Sequence, residues 1–99
     1  MKLFIDTSDN TKTVVGLDGQ RREFPTKKQK SQQLLGLIEG ILKKENSSLK
    51  QITAIEINLG PGSFTGLRVG VSVANALGWV LKIPINGQKV GQLVEPRYE

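Results

Sequence analysis

The stretch that decides the fold lies just past the middle of the chain and reads Gly60-Pro61-Gly62-Ser63-Phe64-Thr65-Gly66-Leu67-Arg68. It joins a run with the two-residue alternation of a β-strand to a long apolar pattern typical of a helix. Pro61 fixes its own φ and lacks an N–H donor, whereas the glycines permit positive φ and close approach of another backbone. Ser63 or Thr65 can cap the helix that follows. The segment therefore predicts a sharp turn from a strand into a helix.

The same loop could hold an anion, because the first N–H groups of a helix are unpaired and its dipole favours negative charge. Its spacing fits neither of the two common nucleotide loops. A Walker loop needs a lysine, and the dinucleotide fingerprint needs its third glycine one residue before Gly66. Arg68 is the only charge near the loop. A purely structural turn and an anion cradle both remain open at this point.

Composition limits the classes of function. The 99 residues, 37% hydrophobic and 23% charged, predict a single globular domain over 1–99 in which 87–99 is a weakly patterned tail. No apolar run approaches the roughly 20 residues of a membrane span, and the apolar start is too short for a signal peptide, so we expect a soluble cytoplasmic protein. The chain has no cysteine and no histidine. These absences exclude a thiol nucleophile, a disulfide framework and the commonest general base.

The net charge of +5 is unevenly distributed. Five basic residues fall within ten positions that contain a single acid, Glu23, and they could meet RNA or an acidic partner. Charged residues also protect an exposed strand edge from aggregation, and that interpretation stays open as well. The five are Arg21, Arg22, Lys27, Lys28 and Lys30.

Hydrophobic periodicity predicts an α/β domain with the order βββαβαβ. The hairpin signal Asp18-Gly19 links the second and third strands. In the fourth strand Ile55 and Ile57 alternate with Glu56 and Asn58. The predicted elements are strands at 2–7, 12–17, 20–24, 52–59 and 84–86 and helices at 29–45 and 64–82, which together make a mixed five-stranded sheet with two helices.

The second helix is apolar over more than half of its circumference. One stripe contains Gly70, Ala74 and Gly78, and a second contains Val69, Val73, Ala76 and Val80. A glycine inside a helix costs about 1 kcal/mol relative to alanine, so close approach of another element must compensate. That element could be the first helix, which carries Gly36 and Gly40, or a second protein. We favour a helix-pair surface that also recruits a partner.

Two motifs resemble the TsaB (YeaZ) family. The first motif is Ile5-Asp6-Thr7-Ser8, and the second is the segment from Gly60 to Gly70. Two further segments follow in the family's order: Val73-Ala74-Asn75-Ala76-Leu77-Gly78 and Ile83-Pro84. The resemblance covers nearly the whole chain and matches the N-terminal half of the family. It implies half of the actin-like/sugar-kinase (ribonuclease H-like) fold.

The resemblance also implies a function. TsaB proteins are non-catalytic scaffold subunits that bind TsaD, the enzyme that makes N6-threonylcarbamoyladenosine in tRNAs reading codons that begin with A, and TsaE joins them with ATP. We therefore expect an accessory subunit rather than an enzyme, with TsaD as its main partner, a homodimer when alone, only indirect or weak contact with tRNA, and no metal. By resemblance the interface is carried by Leu34, Leu37, Ile38, Ile41, Leu67, Gly70, Val71, Ala74 and Gly78.

The chain departs from the family in length, because it ends where a usual TsaB continues into a second half. A nucleotide cleft between two halves cannot then form within one chain, so we expect ATP or ADP only in the complex with TsaD and TsaE. Asp6, Thr7 and Ser8 occupy the place of the fold's first phosphate loop and are the candidate cofactor-binding residues, although a lone carboxylate favours a turn.

Two other functions remain open. One is a ribonuclease H-like hydrolase using Asp6, Glu39 and a metal, in which Asn58 stands where a third acid is expected. The other is a direct tRNA-binding module that uses the basic segment, which lacks the interleaved aromatic side chains of a stacking surface.

Overall fold

A four-stranded mixed sheet is the base of the computed structural model, which describes residues 1–25 and 30–97, with the α1 side chains described from Gln33 onward. The strands lie in the order β3-β2-β1-β4. Strand β1 pairs antiparallel with β2 and parallel with β4. The elements are β1 (Lys2–Asp6), β2 (Lys12–Leu17), β3 (Gln20–Pro25), α1 (Lys30–Lys44), a 3-10 turn (Leu49–Gln51), β4 (Ala54–Ile57) and α2 (Phe64–Leu81).

The predicted hairpin between β2 and β3 is confirmed. Asp18 and Gly19 have φ values of 50° and 87°, as a two-residue turn that matches strand twist requires. The Asp18 carboxylate accepts the Lys2 N–H at 2.8 Å, and the Asp18 N–H donates to the Lys2 carbonyl at 2.9 Å. This turn therefore closes the hairpin and also ties it to β1.

One face of the sheet carries the core. Leu3 and Ile5 of β1 and Ile55 and Ile57 of β4 point to this face, as the two-residue alternation of β4 predicted. Both helices contribute to the same cluster of buried side chains. The members from the helices are Leu34, Ile38, Ile41 and Leu42 of α1 and Val71, Ala74 and Leu77 of α2. Leu67 of α2 is also buried, next to Gly60.

The opposite face of the sheet is half exposed and carries charges of both signs. Lys2 forms an ion pair with Glu56 at 3.3 Å. The Arg21 guanidinium lies 3.7 Å from the centroid of the Phe4 ring. Gly16 of β2 lies between Phe4 of β1 and Arg21 of β3 in the strand register. A Cβ at Gly16 would come within 3.0 Å of the Arg21 side chain. The missing side chain leaves the space in which Arg21 crosses the sheet.

Helix α2 is the more apolar of the two helices. It has 18 residues and a mean hydropathy of 1.3, which by length and composition alone would allow it to cross a membrane. In the fold, however, its Gly70 and Gly78 press against the sheet side of the molecule, next to Thr7 and Ile85. Of its residues 39% are buried, and this face belongs to the core.

The predicted fifth strand at 84–86 is a single parallel bridge between Ile55 and Ile85, so the sheet has four strands and not five. The reason is the side chain of Asn86. Its Oδ1 accepts the Ile57 N–H at 2.8 Å and its Nδ2 donates to the Ile57 carbonyl at 3.1 Å, where a further backbone pair would stand. With φ of 51°, Asn86 has already turned the chain away. The predicted ends of the other elements differ from the observed ones by at most two residues.

We expect Asn86→Gly to lower the free energy of unfolding by about 1–3 kcal/mol, because a buried N–H and carbonyl of β4 would lose their partners. Glycine tolerates the positive φ, so the substitution isolates the amide group. Asn46→Gly is the matched control, because Asn46 has φ of 52° and is exposed at the end of α1. Urea denaturation measures both, and equal stability of the two variants would contradict the role of the Asn86 amide.

Candidate functional site

The loop at Gly60 turns β4 into α2 in the predicted manner. Gly60 has φ of 116° and the Gly60-Pro61 peptide bond is cis. Ser63 is the residue that caps α2, since its hydroxyl accepts the Gly66 N–H at 3.3 Å and its carbonyl accepts the Leu67 N–H at 2.8 Å. The loop therefore starts α2 with an ordinary serine cap.

The end of β1 binds this loop directly. The fully buried Thr7 hydroxyl donates to the Gly66 carbonyl at 2.6 Å. The Ser8 carbonyl accepts the Ser63 N–H at 2.8 Å. Two glycines are required by this contact, because a Cβ at Gly62 would lie 2.6 Å from Ser8 and one at Gly70 would collide with the Thr7 hydroxyl. The two sequence motifs thus form one structural unit.

Asp6 is held by neighbours within the chain. Its Oδ1 accepts the Ser8 N–H at 2.9 Å and the Ser8 hydroxyl at 2.6 Å, and its Oδ2 accepts the Asn58 amide at 3.1 Å. The Asn58 side chain also accepts the Gly60 N–H at 2.9 Å. The candidate cofactor residues Asp6, Thr7 and Ser8 therefore lie together, and the bonds described here join them to the loop. This arrangement is what a turn-forming carboxylate makes.

The acids named for a hydrolase do not gather in the described part of the chain. Asn58 takes the position beside Asp6 where that chemistry would need another carboxylate. Glu39 lies on the exposed side of α1. Within residues 1–25 and 30–97, no three acidic or histidine side chains form a group that could hold a metal ion.

The predicted interface residues lie mostly inside the chain's own core. Leu34, Ile38, Ile41, Leu67, Gly70, Val71, Ala74 and Gly78 are buried, and Leu37 is half buried. The physical reason is that the small-residue stripe faces the sheet. A Cβ at Gly78 would lie 2.7 Å from Ile85, just as one at Gly70 would meet Thr7. The glycines serve close helix-to-sheet packing, and a role of these nine residues in partner binding stays a prediction.

The second apolar stripe of α2 is less buried than the first. Val69, Val73, Ala76 and Val80, which we call the outer stripe, share a face because they follow helical spacing. Val69 and Val73 are half buried, whereas Ala76 is exposed and Val80 is 72% exposed. Beside it a groove of about 320 Å³ is lined by Phe64, Thr65, Arg68, Val69, Ser72 and Val73.

The basic segment is only partly described. Arg21 lies over Phe4, while Lys12 forms an ion pair with Glu23 at 3.4 Å. Arg22 is exposed on β3. Lys27 and Lys28 and the side chain of Lys30 lie outside the described residues. Both described arginines of the segment are thus exposed, and the Arg21 guanidinium lies against a ring on the sheet.

The architecture is an α/β half domain, and solved structures share it. YeaZ from Pseudomonas aeruginosa superposes with a TM-score of 0.74 at 25% sequence identity, over 89% of this chain and 43% of that one. Among curated proteins, the tRNA threonylcarbamoyladenosine biosynthesis protein TsaB of Bacillus subtilis is 31% identical over 98% of this chain and 49% of its own length. TsaB of Escherichia coli is 37% identical over 58% of this chain and 25% of its own.

A family model described as "TsaD: tRNA N6-adenosine threonylcarbamoyltransferase" matches residues 25–88. The chain belongs to this family, and the relatives named above place it with the TsaB (YeaZ) members, which confirms the resemblance predicted from the two motifs. A relative from Nitrosospira multiformis, 43% identical over 64% of this chain and 19% of its own length, is named a tRNA N6-adenosine threonylcarbamoyltransferase. The chain spans about half or less of the length of these curated relatives.

Gly70→Ala should destabilise the protein by about 1–3 kcal/mol, because the added methyl group collides with the Thr7 hydroxyl in a packed core. Gly36→Ala is the matched control. It places the same methyl group inside α1 where nothing lies within 4 Å, and should stabilise by about 0.5–1 kcal/mol. Thermal and urea denaturation compare the two variants, and a stabilised Gly70→Ala variant would contradict the described contact.

Proposed function

We propose that this chain is a non-catalytic subunit that binds a TsaD-type transferase during the synthesis of N6-threonylcarbamoyladenosine in tRNA. Family membership supports the pathway. The single observation that supports a binding role is the outer stripe, an apolar face on a helix that the rest of the described chain covers only at Val69 and Val73, leaving Ala76 and Val80 exposed. A preformed helix is a favourable partner surface because little conformational entropy is lost on binding.

The chemistry of the stripe supports a helix of the partner as its occupant. Val69, Val73 and Ala76 have short side chains, which allow a second helix to approach within the 8–10 Å typical of packed helices. Val80, 72% exposed, would extend the apolar contact at one end, and Phe64, 57% exposed, would supply a larger apolar side chain at the other. The Arg68 guanidinium, 5.4 Å from the Phe64 ring centroid, would add a polar rim.

A scaffold role agrees with the state of the Asp6 turn. Its carboxylate and the Thr7 and Ser8 hydroxyls are engaged in bonds that hold β1 to the loop, which supports a structural rather than a catalytic use. We further propose that ATP or ADP binds only in the complex with TsaD and TsaE, that tRNA is reached through TsaD, and that the chain works in the cytoplasm. The outer stripe would also serve a homodimer when TsaD is absent.

The experiment places a charge on the stripe without touching the core. Ala76→Arg and Val80→Arg should each weaken binding to the TsaD encoded by the same genome at least tenfold, because a cation would be buried against an apolar helix. Isothermal titration calorimetry measures the affinity, and thermal melting checks that the fold is kept. Ala74→Arg is unsuitable, since Ala74 is fully buried and the variant would unfold.

Asn10→Arg is the matched control, since Asn10 is exposed in the turn between β1 and β2. It should bind like the wild type. Normal binding by both stripe variants, with a wild-type chain that does bind, would show that the partner uses another surface. A wild-type chain that binds no TsaD at micromolar concentration would remove the proposed function altogether.

A further inference from the structure

The last part of the described chain has no helix or strand and yet is docked along α2. We call residues 88–97 the strap. It begins after Ile85, where the Gln88 N–H donates to the Ile85 carbonyl at 3.0 Å, and it ends against the loop that starts α2. Val94 is 4% exposed, whereas its neighbour Leu93 is 62% exposed. The strap is therefore held at a few points rather than packed along its whole length.

Asn75 is the first holding point. Its Nδ2 donates to the Val94 carbonyl at 3.0 Å and its Oδ1 accepts the Val94 N–H at 3.0 Å. The amide thus satisfies both backbone groups of one strap residue, as a neighbouring strand would. Helix α2 offers this pair of bonds from a half-buried position, and the side chain of Val94 belongs to the buried apolar cluster of the core.

The second holding point is the Gly60 loop itself. The Arg97 N–H donates to the Leu59 carbonyl at 2.6 Å. A Cβ at Gly60 would collide with the Arg97 carbonyl oxygen, so the glycine is what lets the strap lie on the loop. The strap thus spans from the middle of α2 back to the residues that precede its first turn.

We propose that the strap is a conformational control element: Asn75 holds it down, and the docked strap adds to the β1 contacts that keep the Gly60 loop and the first turn of α2 in place. When the strap is released, the loop loses its outer contact and the N-terminal end of the outer stripe loosens. The consequence for partner binding rests on the proposed function, whereas the coupling between strap and loop does not.

The coupling is tested by amide hydrogen exchange, measured residue by residue by NMR, in Asn75→Ala. Faster exchange at Val94 and Arg97 would report only release of the strap. The diagnostic amides are Ser63, bonded to the Ser8 carbonyl, and Leu67, bonded to Ser63. The proposal requires both to exchange at least tenfold faster than in the wild type, while β1 and β2 keep their protection.

Gln92→Ala is the matched control, because it also removes an amide side chain, on an exposed strap residue. It should leave all these rates unchanged. Val94→Ala is a second releasing variant: it shortens the buried side chain that anchors the strap in the core, and it changes neither a residue of α2 nor the Asn75 amide. A released strap with wild-type exchange at Ser63 and Leu67, in either releasing variant, would overturn the coupling.

Binding separates this proposal from the proposed function. If the wild-type chain binds TsaD, Asn75→Ala should bind about tenfold more weakly and Gln92→Ala equally well. Equal binding of all three would overturn the regulatory consequence. A wild-type chain that fails to bind would remove the proposed function, and the exchange experiment would still decide the coupling.

Discussion

The hydrogen bond from the buried Thr7 hydroxyl to the Gly66 carbonyl, 2.6 Å long, is the contact on which the rest of the structure depends. It attaches the end of β1 to the first turn of α2, and it has room only because Gly70 has no side chain. The Asp6 turn, the Asn58 amide and the Ser63 cap surround this contact. Together they set the position of α2 on the sheet, and hence which of its faces is buried.

This constraint explains the unusual breadth of the apolar surface of α2. The face with Gly70, Ala74 and Gly78 must approach the sheet closely, so its small residues are buried inside the molecule. The outer stripe then lies at the margin of the core, where Val69 and Val73 are half buried and Ala76 and Val80 are exposed. A small domain has limited core volume, and this surface is the one on which the proposed partner binding rests.

Much of the fold could be predicted from local signals. The Asp18-Gly19 turn, the alternation of β4 and the glycine loop before α2 each gave an element within two residues of its observed ends, because each depends on short-range geometry. The fifth strand failed for a specific reason. The side-chain amide of Asn86 bonds the backbone of Ile57 in place of a backbone pair. Hydrophobic periodicity does not show whether an asparagine side chain will bond to its own turn or to a neighbouring strand. The hydrogen bonds of the Asn75 side chain could not be predicted from local signals either, because its partner Val94 is nineteen residues away.

By itself the sequence determined the class of fold, the family and the presence of two apolar stripes on α2, since these follow from spacing, turn chemistry and two specific motifs. Only the tertiary structure decided how deeply each stripe is buried: the one with Gly70, Ala74 and Gly78 is fully buried, whereas the outer stripe is buried only in part. The reason is that helical periodicity shows that two faces are apolar without ranking them. The choice is made by what stands opposite, here Thr7 and Ile85, whose side chains leave space for glycine and for nothing larger.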